Sequence, residues 1–125
     1  MSNPAIQQFL TDISALGFEP ELVSVNADQS FLIIRNYTIE LGRFKDRIID
    51  LGLPALTDYP RRVGQSIHVK ADPQLLEKQN IPGILNIVDS SLGNEWLYWS
   101  FQLKAHSNET ARELMNQING IFKRV

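Results

Sequence analysis

The sequence predicts an α+β domain with an N-terminal helix, a four-stranded antiparallel meander sheet, a long loop and a C-terminal helix. Three observations lead there. Apolar residues recur at helical spacing near both ends, runs rich in β-branched and aromatic residues fill the middle, and Asn, Asp, Gly and Pro separate those runs. The 125 residues suit a single domain spanning 1–125, and a chain of this size buries roughly two-thirds of its unfolded surface.

Asn3 and Pro4 read as an N-cap and first helical position, because proline has no N–H to lose there. Ile6, Phe9, Leu10, Ile13 and Leu16 then share one helical face, and Gly17 supplies a stop. LVSV at 22–25 and FLIIRNYTI at 31–39 flank the turn formers NADQS, which predicts a β-hairpin. RIIDLGLPAL at 47–56 is the expected third strand and SIHVK at 66–70 a short fourth, after the interruption TDYPRRVGQ. Residues 71–95 read mostly as loop around one apolar run, ILNIV. Long loops in compact domains are often functional. In WLYWSF, strand alternation puts Trp96 and Tyr98 on one face and Leu97 and Trp99 on the other. Core packing is expected for Trp99, which leaves Trp96 or Tyr98 as an exposed anchor. The segment from Ser107 to Val125 starts with cap-type residues and Glu109, and its apolar stripe includes Ala111, Leu114, Met115, Ile118, Ile121 and Phe122.

Twelve Lys and Arg against 14 Asp and Glu give a formal charge of -2, and no run of like charge forms a phosphate-binding surface, so nucleic acid and polybasic membrane contact are not expected. The chain contains no Cys, which excludes disulfides, thiolate metal sites and thioester chemistry. No apolar run approaches the roughly 20 residues of a membrane span, and the start lacks a signal-peptide pattern. A cytoplasmic protein without cofactor or metal is the resulting expectation.

His68 and His106 have no metal-ligand spacing around them. His68, Asp72 and a nearby serine have the residue types of a hydrolytic triad, but no serine sits in a Gly-x-Ser-x-Gly elbow, and Ser90 and Ser91 have no base next to them in sequence. An enzyme acting on a small substrate through His68, Asp72 and the arginines is therefore the weakest of the functional readings. Alternation puts His68 on the more polar face of its strand. Arg61 and Arg62, directly after Pro60, have the chemistry to hold a carboxylate or phosphate in a turn.

Several short motifs in this order resemble the ubiquitin-conjugating enzyme (UBC-like) superfamily, especially its divergent bacterial branch. Tyr59-Pro60 stands where that family has Tyr-Pro before its fourth strand, SIHVK for the strand itself, and Asp72-Pro73 near its His-Pro-Asn. Gly83-Ile84-Leu85-Asn86-Ile87 resembles the segment that holds the nucleophile in a Gly-x-Ile-Cys-Leu-Asp-Ile context, and Trp99-Ser100 the Trp-Ser ahead of the following helix. The likeness spans about residues 3–124. It departs from the family at the chemistry: there is no cysteine, Asp-Pro-Gln at 72–74 replaces the oxyanion asparagine, and Arg61-Arg62 replace consecutive prolines. The resemblance thus implies a non-catalytic protein-binding module or adaptor for a ubiquitin-like protein or a pathway enzyme. Its implied binding residues, with those read above, are Arg61, Arg62, Asp72, Ile84, Leu85, Asn86, Trp96 and Tyr98. A small acidic secretion chaperone, holding an effector segment and dimerising, is the competing expectation.

Overall fold

The computed structural model describes residues 4–26, 29–57, 59, 66–82, 85–101 and 111–125, with Leu85 and Phe101 described by their backbone alone. The elements are α1 (Pro4–Ala15), β1 (Pro20–Ser24), β2 (Ser30–Thr38), β3 (Ile48–Pro54), β4 (Ser66–Lys70), β5 (Gln79–Ile81), β6 (Leu85–Asp89), β7 (Trp96–Phe101) and α2 (Ala111–Arg124). The expected helices, hairpin and third and fourth strands are present. The N-cap at Asn3, the cap residues Ser107 and Asn108, and His106 lie outside the described residues.

The sheet has seven strands rather than four, ordered β1-β2-β3-β4-β7-β6-β5, with every neighbouring pair antiparallel. The three further strands come from residues 71–101, two of them from the stretch 71–95. Instead of a loop, this stretch contains the β5–β6 hairpin, pairing Gln79 with Ile87 and Ile81 with Leu85. β7 then pairs with β4 on one side and β6 on the other, Ile67 opposite Trp99 and Trp99 opposite Ile87. Among the described side chains of β6, Ile87 is buried between exposed Asn86 and Val88. So short a pattern does not announce a strand by itself, and β7 supplies the backbone partners that stabilise it.

Both helices contribute to the main core on one sheet face. Phe9 and Ile13 of α1 and Leu114, Ile118 and Phe122 of α2 meet Leu32, Leu51, Ile67, Val69, Ile87 and Trp99 from the sheet. Trp99 is completely buried, and its ring meets Phe122 edge-on at 5.6 Å between centroids. Its placement agrees with the sequence expectation.

Tyr59 joins the C-terminal half of α1 to the start of α2. Its hydroxyl donates to Asp12 Oδ2 at 2.6 Å and accepts from the Ala111 N–H at 3.2 Å, which satisfies one of the unpaired donors at the start of α2. The ring packs on Phe9 at 4.8 Å. Burial, reinforced by the bond to Asp12, pushes the phenol pKa well above its ordinary value. Tyr59→Phe is expected to lower stability by about 1–3 kcal/mol, since it strands a buried helix N–H and removes the hydroxyl donor of Asp12. Urea denaturation measures the loss, and a variant as stable as the parent contradicts this role.

On the opposite end of the core, Ile39 and Arg47 close a loop: the Ile39 N–H donates to Arg47 O at 2.9 Å, and the Asp46 N–H to Ile39 O at 2.8 Å. At its tip Gly42, with φ +86°, lies against the backbone of α2 so closely that a Cβ there would stand 2.5 Å from Phe122 O. Nearby, the Tyr37 hydroxyl donates to Asn119, and the Tyr37 pKa is pushed up to about 12, chiefly by burial.

Candidate functional site

Among the described residues no helix lies on the sheet's second face. Strand alternation turns Phe31 and Ile33 of β2, His68 of β4, and Trp96 and Tyr98 of β7 to this side. Phe31, Ile33 and Trp96 form a second buried cluster, with Val23 and Leu92 packed against it. FLII is therefore buried along its whole length because both sheet faces are covered where it runs.

The cover is the β6–β7 connection, residues 90–95, which folds back as a strap. Leu92 reaches across to β3, where a Cβ on Gly52 would come within 3.0 Å of Leu92 Cδ1 and 3.1 Å of His68 Cβ. Glycine at this position makes room for the approach. Trp96 is thus only 8% exposed, which differs from its expected place as an exposed anchor: the strap and β2 enclose it. Tyr98 is half-buried and Asn86 exposed.

Under the strap, His68 Nδ1 lies 2.6 Å from Ser90 Oγ, and the Leu92 N–H donates to the same oxygen at 3.0 Å. His68 is 3% exposed, and its ring sits between those of Phe31 and Tyr98, at 4.6 and 5.1 Å. Its placement on the face away from the helices agrees with the alternation of β4, but its burial does not follow from that alternation. Burial alone lowers the His68 pKa from 6.5 to about 4. The apparent lack of a base near Ser90 is likewise corrected. Twenty-two positions separate the pair in sequence, and the pairing of β7 with both β4 and β6 brings them together.

Proximity does not make this pair a nucleophile and base. General-base action requires the imidazole to become charged in the transition state, and its surroundings disfavour that charge. What the arrangement does is tie the start of the strap to β4 through one shared hydroxyl. Beside it runs an open groove of about 600 Å³ whose lining includes Ser30, Phe31, Pro54, His68, Val88 and Tyr98. This volume is in the range of small-ligand sites. Val88 is 41% exposed and gives the groove an apolar rim.

A second groove, about 560 Å³, lies at the other end of β3 and β4 and includes Asn36, Ile48, Asp50, Asp72, Gln74 and Glu95 in its lining. Its charges are largely paired: Arg35 bridges Asp50 at 3.1 Å and Glu21 at 3.4 Å, and Lys70 bridges Glu95 at 3.1 Å. Asp72 is exposed at its rim, before a cis bond to Pro73.

Asp72 and Tyr98 consequently line different grooves, and Asn86 stands apart on β6. Arg61, Arg62 and Ile84 lie outside the described residues, as does the side chain of Leu85. Among the described residues no group of three His, Asp or Glu is placed to hold a metal, and no helix is long and apolar enough to cross a membrane. No family model, curated protein or solved structure matches the chain.

Proposed function

We propose that this chain is a non-catalytic protein-binding module of the UBC-like type, an adaptor that holds a ubiquitin-like protein or a pathway enzyme. The observation that carries the reading is the path from α1 into β1, β2, β3 and β4 paired in chain order, with Tyr59 standing between β3 and β4. That path parallels the motif order of the resemblance. The absence of cysteine from the chain removes the thioester chemistry and leaves binding as the function such a scaffold retains. The added β5–β6 hairpin and β7 enlarge the sheet face that carries no helix among the described residues, and its groove beside Tyr98 and Val88 is the favoured docking surface.

The test is a titration of the isotope-labelled chain with a ubiquitin-like protein encoded beside it. Saturable chemical-shift changes centred on Tyr98 and Val88 are expected. If no such partner moves any resonance, the adaptor reading fails. Sedimentation separates it from the secretion-chaperone alternative, which requires a stable dimer with a continuous apolar groove. Among the described residues the large exposed apolar side chains are instead scattered: Leu22 on β1, Ile48 on β3, Val88 on β6, and Val25 and Leu41 between elements.

A further inference from the structure

We infer that the strap at residues 90–95 is an acid-released latch: protonation of His68 favours a locally open form that uncovers the Phe31–Ile33–Trp96 cluster while the helix-backed core stays folded. Three features converge on this. The strap is fastened at its start by Ser90, which meets both His68 Nδ1 and the Leu92 N–H. Its middle is held by Leu92 over Gly52, and its end by Gln74 Nε2, which donates to Glu95 O at 2.7 Å, and by the exposed Lys70–Glu95 pair. The main core is built from other residues on the opposite sheet face, so the second cluster can be uncovered without dismantling it.

The electrostatics set the direction. Among the described residues, Phe31 from β2, Gly52 from β3 and Tyr98 from β7 approach the imidazole without offering an anion. Asp89 lines the adjoining groove, but its carboxylate is 84% exposed and bridged to Lys78 at 3.3 Å, so solvent screens it. Asp50, Lys70 and Glu95 belong to the other groove. A charged imidazole beneath the closed strap is therefore poorly solvated, and opening admits water to it. With the closed-state pKa near 4 and the ordinary value 6.5, the open form binds the proton more tightly. Stability of the closed form is complete above about 6.5 and declines as pH falls toward 4. One proton taken up on opening multiplies the open population by as much as roughly tenfold for each pH unit inside that window.

Amide hydrogen exchange across pH 4–7, corrected for intrinsic rates, tests the latch. Protection at Leu92 is expected to fall with decreasing pH faster than protection at Leu51 and Val69 in the core strands, together with increased binding of an apolar dye. His68→Asn retains a side-chain acceptor but has no charge to gain, so its Leu92 protection is expected to lose the excess pH dependence. Ser90→Ala removes the shared hydroxyl and is expected to lower Leu92 protection at every pH while leaving the core amides unchanged. The inference is overturned if Leu92 follows the core amides throughout, if the excess pH dependence survives in folded His68→Asn, or if Ser90→Ala leaves Leu92 protected.

Discussion

Replacing Gly42 with alanine is expected to lower stability by about 2–5 kcal/mol, combining backbone strain with a steric clash. Gly42 has φ +86°, a conformation costly for any residue carrying a Cβ, and the added atom meets backbone rather than a yielding side chain: Phe122 O at 2.5 Å and Lys123 Cα at 2.9 Å. The 39–47 loop and the C-terminal turn of α2 therefore have to separate. Urea denaturation reports the loss, and the Tyr37–Asn119 hydrogen bond nearby gives it a local signature in the tyrosine near-ultraviolet signal. A Gly42→Ala protein of parental stability shows that the loop and helix do not meet as described.

The second large effect belongs to Trp99. Trp99→Ala is expected to cost about 3–5 kcal/mol, the range for removing a large aromatic side chain from a packed interior. The indole is fully buried against Phe122, and its Nε1 has no hydrogen-bond partner among the described residues. That orphaned donor makes a second outcome informative. Trp99→Phe keeps a ring without stranding an N–H, so its cost is expected to be much smaller than that of the alanine variant. Equal losses in thermal or urea unfolding for the two variants contradict the view that ring packing, rather than the indole nitrogen, is what Trp99 contributes.

These two residues were not equally legible from sequence. Trp99 is visible because WLYWSF alternates and one face of a half-buried strand must enter the core. Gly42 is only one glycine among seven in the chain; its approach to α2 spans 80 positions and leaves no local signal. The same division explains the sheet. α1, β2, β3 and α2 carry long periodic patterns, whereas β5 contributes three residues and β6 five, lengths at which pairing decides structure more than propensity does.

The candidate site follows this pattern too. Alternation put His68 and Tyr98 on their correct face, but it contains no information about what covers that face. Ser90, Leu92 and Gly52 come together only once β7 has inserted between β4 and β6. The burial of Trp96 has the same origin. Its aromatic character suggested a partner-facing anchor, while the strap supplies a partner from within the chain.

The Tyr59 junction has a consequence for synthesis on the ribosome. Its hydroxyl is shared between Asp12 and the Ala111 N–H, so completing that junction requires α2 to have emerged long after α1 has been made. Contacts so distant along the chain form late and slow folding. Until then the apolar stripe of α1 and the helix-facing side of β1–β4 lack much of their cover, and the nascent chain passes through a stage in which its most aggregation-prone surface is exposed.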